Sequence, residues 1–298
     1  MSERAKFVGV NSITFNRLFK TDEDCLQYLS ALKWEGGYHC KRCKNDKYGQ
    51  GKKPSNRRCT KCRYEESPTS GTMFDKVKFS MLKSFHIAFK ISTKKKGMSS
   101  LELSNEFELR QKTCWEFKWK IQQAMASSLQ YPLEGKVHVD EFMIGGPEEQ
   151  KRGRHKGAKK LIVVVLEVLD SGVGRAYAEI IENASAKELG NFLKKYVSQD
   201  AKIISDEWRG YTPLKSDFKK LEQVASDDGR NFKDIHIHIM NIKGWLRGIH
   251  HHCSKERMQG YLNEYHFRYN RRQTMGSIFD LLIRRMIKNE PVRLFPTN

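Results

Sequence analysis

The residues best suited to chemistry are four cysteines in two pairs and two aspartates that end apolar runs. Cys40-Lys-Arg-Cys43 and Cys59-Thr-Lys-Cys62 stand fifteen residues apart. Each C-x-x-C turn presents two thiolates on one side of a knuckle, and two knuckles complete a tetrahedron around Zn²⁺. Few large apolar side chains lie between them, so metal binding rather than a hydrophobic core would supply the folding energy. Zn²⁺ is therefore expected here in a structural role. Asp140 ends Val137-His-Val-Asp, and Asp206 ends Ile203-Ile-Ser-Asp. Asp is depleted in strands because its carboxylate competes for backbone hydrogen bonds. At the end of an apolar strand it either starts a turn, caps a helix or serves a site. Two such strands side by side would bring the carboxylates together. Charges that close repel unless cations lie between them, as in a two-metal phosphoryl-transfer site.

The elements that must position these residues follow from periodicity. Residues 1–37 read as a helical lead-in, with Thr21 and Asp24 as a capping box and Leu26, Leu29 and Leu32 at helical spacing. Residues 38–72 form the basic, cysteine-bearing ribbon, and 73–130 return to helical spacing. Within the latter, Ser99–Phe107 and the basic Lys112–Lys120 form either a helix-turn-helix fit for a major groove or two ordinary packed helices. From 131 to 298 the chain reads as one α/β domain. Val137–Phe142, Leu161–Leu169 and Arg175–Ile181 are strand-like, and the second is apolar enough for a buried central strand. Ser185 with Glu188 caps a helix to about Val197, and Ala201–Asp206 is another short strand. Ser254 opens a helix to Asn270, and Ser277 with Asp280 caps a last one. Three strands, a helix and a strand is the order of a ribonuclease-H-like domain.

Composition narrows the partners. Lys and Arg number 55 against 35 Asp and Glu, a net charge of +20 that calls for a polyanion. Hydrophobic residues at 38% allow real cores and argue against disorder. No apolar run approaches the roughly 20 residues of a membrane span, and no apolar signal core follows Met1-Ser-Glu-Arg. Seven cysteines, an odd number, argue against a disulfide framework. A soluble cytoplasmic protein with no membrane partner is expected.

The chain resembles the bacterial insertion-sequence transposases of the IS1595 family, which join an N-terminal zinc ribbon to a DDE-type catalytic domain. The similarity runs from about Phe15 to Arg285. It rests on the two knuckles with Ser70-Gly-Thr-Met-Phe74, and on His138-Val-Asp-Glu-Phe142 with Gly145-Gly146. It rests also on the basic Lys151-Arg-Gly-Arg-His-Lys-Gly157, on Ser205-Asp-Glu-Trp-Arg-Gly-Tyr211, and on the run from Tyr261 to Arg272. The resemblance implies that Asp140 and Asp206 are the first two catalytic carboxylates. The third family position is usually Glu, with a Lys seven residues on. Counting back from His251-His-Cys-Ser254 puts His236 there and Lys243 at the basic position. Imidazole in place of carboxylate implies a site softer toward Mn²⁺ than toward Mg²⁺. His236-Ile-His-Ile also reads as strand alternation, and His238, Asn241, Asp227, Asp228 and Asp234 are rivals for the third ligand.

The implied activity is DNA transposition. The enzyme would bind the terminal inverted repeats, cleave the ends and join the 3′-hydroxyls to target DNA with two Mg²⁺ or Mn²⁺, as a homodimer or larger assembly. A non-catalytic zinc-ribbon DNA-binding relative would keep the cysteines and the charge but would not need Asp140 and Asp206. A plain ribonuclease-H-like nuclease would not need the zinc ribbon.

Overall fold

A computed structural model describes residues 7–145, 159–250 and 253–292. Gly146, the basic Lys151–Gly157 segment and the pair His251-His252 lie outside the described residues. The chain divides into two units, Met1–Met125 with Gln273–Asn298, and Ala126–Arg272.

The first unit opens with α1 (Ser12–Leu18) and α2 (Asp22–Lys33). The Thr21–Asp24 capping box is formed: each residue's side chain bonds the other's backbone N–H. A small antiparallel sheet follows, β1 (Tyr48–Gln50), β2 (Arg57–Cys59) and β3 (Glu65–Glu66). Then come α3 (Met81–Thr93), α4 (Ser100–Phe107) and α5 (Gln111–Ala124). A three-residue turn joins α4 to α5, and its first residue, Glu108, takes the left-handed conformation (φ 49°). Buried Lys118 of α5 donates its ammonium to Met98 O, fastening α5 to the segment that enters α4.

The second unit is a mixed sheet covered on both faces. Its strands are β4 (Lys136–Ile144), β5 (Lys160–Val168), β6 (Val173–Ile181), β7 (Lys202–Ser205) and β8 (Leu221–Gln223). They lie in the order β6-β5-β4-β7-β8, with β4, β5 and β6 antiparallel and β7 and β8 parallel to β4. That is the ribonuclease-H-like arrangement. Helix α6 (Ala186–Tyr196) crosses one face and α7 (Lys233–Ile249) and α8 (Lys255–Tyr269) the other. Strand alternation divides the core accordingly. Val137, Val139, Leu161, Val163, Val165 and Ile203 pack with Leu189, Phe192 and Leu193 of α6. Phe142, Ile162, Val164 and Leu166 pack with Ile235, Ile239 and Ile242 of α7 and Met258 and Leu262 of α8. Strand β5 is buried from Leu161 to Leu166, which is why its sequence shows no polar alternation.

Helix α8 also closes the outer border of the sheet. Asn270 accepts from Ala176 N–H (2.8 Å) and donates to Ala176 O (2.9 Å), as a neighbouring strand would. Gln259 accepts from Ile180 N–H (3.1 Å) and donates to Ala178 O (3.3 Å).

The last helix, α9 (Ile278–Lys288), falls in the span expected as catalytic domain but packs among α2, α3 and α5. Phe279 sits in an aromatic cluster with Phe15 (5.3 Å between centroids), Phe85 (5.7 Å) and Phe89 (5.8 Å). Asp280 does not serve as the expected cap partner of Ser277, whose side chain makes no capping bond. It is buried instead, accepting from Tyr28 Oη and from Arg284 Nε (2.8 Å). Among the described residues no helix is long and apolar enough to cross a membrane.

Candidate active site and zinc knuckles

In the first unit the two knuckles are near copies of each other. Lys44 N–H bonds Cys40 O (2.9 Å) and Arg63 N–H bonds Cys59 O (3.1 Å). Lys44 (φ 62°) and Arg63 (φ 59°), each just after the second cysteine of its pair, both take the left-handed turn. The result brings Cys40 Sγ to 3.5 Å from Cys62 Sγ and Cys43 Sγ to 3.6 Å from Cys59 Sγ. All four sulfurs lie within 4.8 Å of one another, the donor set of a structural zinc site. The backbone N–H of Cys62 holds the Cys59 thiol down to about 6. For Cys62 the N–H of Tyr64 favours thiolate, but burial and three neighbouring sulfurs push it up to about 12. Such crowding resists four thiolates at once unless a cation neutralises them. The Arg57 guanidinium lies over Trp34 (4.5 Å) and Tyr48 (4.0 Å), and buried Glu66 pairs with Lys33 (2.8 Å) and Lys41 (2.9 Å).

In the second unit the structure brings two of the sequence-predicted residues, Asp140 and His236, into direct contact. Asp140 lies within the β4–β5 ladder opposite Val164, on the face that carries Phe142 and looks toward α7. On β7, Ile204 packs on that same face, and Asp206, two residues on, follows it. The β4–β7 pairing ends with His138 opposite Ile204, two residues before Asp140 on β4 and two before Asp206, which follows the end of β7.

The segment His236-Ile-His-Ile is helix, not strand. Ile235, His238, Ile239, Ile242 and Leu246 are the buried positions of α7, a period of 3.6 that local alternation had masked. His236 Nε2 stands 3.2 Å from Asp140 Oδ2. Lys243, two turns further along the same helix face, places its ammonium 5.4 Å from the centre of the Phe142 ring. Gly229 (φ 83°) backs the imidazole: a Cβ there would stand 3.0 Å from His236 Nδ1.

Of the rivals, His238 and Asp227 have side-chain partners of their own. His238 is buried with its Nε2 3.2 Å from His266 Nε2. His266 Nδ1 meets Leu262 O at 2.8 Å. A carbonyl only accepts, so His266 carries its proton on Nδ1, and His238 must donate from Nε2. Burial holds both rings neutral, His238 down to about 2 and His266 down to about 4. Asp227 pairs with Arg230 (2.7 Å), and Asp228, Asp234 and Asn241 are exposed.

Sequence reasoning missed what holds Asp206. Its Oδ1 accepts from Trp208 N–H (3.0 Å), and the Trp208 indole donates to Ala184 O (2.9 Å). Gly210 leaves room for that contact, since a Cβ there would meet Ala184 O at 2.6 Å. Gln223 ties the loop from the other side. A run such as Ser205–Tyr211 shows its anchors in sequence only as an aromatic and a glycine near an acid.

Asp140 and His236 set a carboxylate oxygen beside an imidazole nitrogen, donors of the kind that Mg²⁺ and Mn²⁺ accept. Residues 132–270 match the ISXO2-like transposase domain of the IS1595 family, and residues 20–65 match that family's transposase zinc-ribbon domain. The chain is thus a zinc-ribbon, DDE-domain transposase. It belongs to the IS1595 transposase family. Among solved structures it is similar to the pre-cleavage Mos1 transpososome, at 11% identity over 64% of this chain and 75% of that one, TM-score 0.29. The Mos1 strand transfer complex gives 13% over 64% and 71%, TM-score 0.31. The Mos1 paired-end complex with the left transposon end gives 14% over 61% and 76%, TM-score 0.24. No curated protein sequence matches the chain.

Proposed function

We propose that the chain binds the terminal inverted repeats of its own insertion sequence, cleaves a phosphodiester at each end, and joins the freed 3′-hydroxyls to target DNA. The observation that carries this reading is the approach of His236 on α7 to Asp140 on β4. Asp140, Asp206 and His236 would hold the divalent ions. Bound there, these ions supply Lewis-acid activation of the attacking and leaving oxygens. Lys243 would bind an adjacent phosphate of the same strand, fixing the scissile bond against rotation. Both steps are in-line displacements at phosphorus with an oxygen nucleophile. Water breaks the first bond, leaving a 3′-hydroxyl, which then displaces a target-strand 3′-oxygen, so no external energy source is needed.

DNA binding would rest on the zinc ribbon and on the α4–α5 pair, which have the makeup of an electrostatic and major-groove reader. Lys94, Lys95 and Lys96 are exposed before α4, and Gln111 and Lys112 at the start of α5. Joining two ends in one event calls for two copies or more on the DNA. The test is a terminal-repeat duplex incubated with the protein and Mn²⁺ or Mg²⁺. Metal-dependent nicking followed by a strand-transfer product supports the transposase. Nicking alone would indicate a plain nuclease, and binding alone a non-catalytic DNA-binding relative.

A further inference from the structure

Asp140 and Asp206 are held in different ways. Asp140 lies inside the β4–β5 ladder, with paired residues before and after it, so its backbone is fixed. Asp206 lies past the last β4–β7 pair, His138 with Ile204, and past the last β7–β8 pair, Ser205 with Gln223. Nothing in the ladder fixes the direction in which its Cα–Cβ bond points. A side chain does so instead. Gln223, half-buried at the end of β8, donates through Nε2 to Trp208 O (2.9 Å) and to Asp206 O (3.5 Å). Its Oε1 accepts from Thr212 Oγ1 (3.1 Å). One carboxamide therefore ties together the start, middle and end of the loop that carries Asp206. Ser205 Oγ adds a local bond to Asp206 O (3.0 Å).

We infer that Gln223 is a positioning residue for the metal-binding carboxylate Asp206, holding its loop where the sheet ladder has ended. This rests on the two-metal reading given above. Gln223 touches neither ion nor DNA in this role; it acts through the backbone of residues 206 and 208. The two ends of its amide are not equivalent. The Nε2 end holds the carbonyls on which the aspartate's direction depends, whereas the Oε1 end meets a hydroxyl six residues further on.

The test is titration of the full, zinc-loaded chain with Mn²⁺, followed by electron paramagnetic resonance of free Mn²⁺, with melting temperature and terminal-repeat DNA affinity in parallel. Gln223→Met, nearly isosteric and without donors, should weaken Mn²⁺ binding about tenfold, at the lower end of what loss of an outer-shell partner costs. Its zinc content, melting temperature and DNA affinity should match the wild type. Thr212→Val, which leaves both Nε2 contacts in place, should bind Mn²⁺ within about twofold of wild type, well below that range. Asp206→Ala is the reference for losing the carboxylate outright. Wild-type Mn²⁺ binding by Asp206→Ala would overturn the two-metal reading itself. Weak binding by Asp206→Ala beside wild-type binding by Gln223→Met would overturn the role of Gln223 alone. Equal losses in Gln223→Met and Thr212→Val would also overturn it, because the carboxamide would then be only a loop filler.

Discussion

His236 Nε2 and Asp140 Oδ2 lie 3.2 Å apart, one on the third position past Lys233 in α7 and the other mid-strand in β4. The contact links a helix that carries a basic residue two turns on to a strand whose neighbour β7 leads into the loop of Asp206. A pair at this distance can share a proton or a cation. Which of the two it shares decides the chemistry, and a shared cation makes each group's loss costly to catalysis.

Asp140→Asn and Asp206→Asn should each abolish cleavage and joining of a terminal-repeat duplex. Affinity for that duplex should stay the same or rise, since each change removes a negative charge that faces phosphate. Activity and gel-shift assays on the same preparations check this. A fully active Asp206→Asn protein would refute the two-carboxylate site.

His236→Ala should lower cleavage by at least about 100-fold, the upper end of what an outer-shell partner costs, because it removes a ligand itself. His236→Glu, with the family's usual oxygen ligand, should retain measurable activity and favour Mg²⁺ more than the wild type does. His238→Ala should act differently: it removes a buried partner of His266 and lowers the melting temperature. Asn241→Ala should change neither quantity. If His236→Ala stays active while Asn241→Ala fails, the third ligand lies elsewhere on α7.

Cys59→Ser should release one zinc per chain, read with a chromogenic chelator, and weaken terminal-repeat binding by at least about tenfold, roughly 1.4 kcal/mol. Cys59 is buried against Cys43 at 3.6 Å, so loss of its thiolate opens both knuckles. Unchanged DNA affinity in a zinc-free variant would separate the ribbon from end recognition.

Acid should destabilise the unit Ala126–Arg272 through His266. Burial holds this ring down to about 4, against 6.5 for an ordinary histidine. Below pH 6.5 the unfolded chain takes up a proton that the folded chain refuses, so stability is complete above 6.5 and is lost as pH falls toward 4. The loss at pH 4 is on the order of 3 kcal/mol for this group. Urea melts at pH 7 and pH 4.5 should show a shallower acid loss in His266→Gln than in wild type. Equal losses would assign the acid limb to other groups.

Much of this architecture is legible in the sequence where one residue type has one physical use. Two C-x-x-C pairs in a segment without apolar bulk leave few alternatives to a metal. Leu161–Leu166 is apolar throughout because both faces of β5 are covered. Helix α7 was legible only over its full length: two histidines two apart mimic a strand, but 235, 238, 239, 242 and 246 together fit only a helix. The allegiance of α9 was not legible. Its apolar stripe, Ile278, Phe279, Leu282, Ile283 and Met286, says that it is buried, not what buries it. Nor was the support of Asp206, because Gln223 reaches it across a parallel pairing whose register no local pattern encodes.

The carboxamides of Asn270 and Gln259 have a consequence for assembly. A nine-residue border strand such as β6 would ordinarily invite another chain to lengthen the sheet, by error or by design. Here its Ala176, Ala178 and Ile180 backbone groups are already spoken for by α8. Copies brought together on DNA, as proposed above, could not zip along this seam without first prying a helix from its own sheet. Along this border any contact between copies would have to be made by side chains, which evolution can retune one at a time, rather than by the backbone.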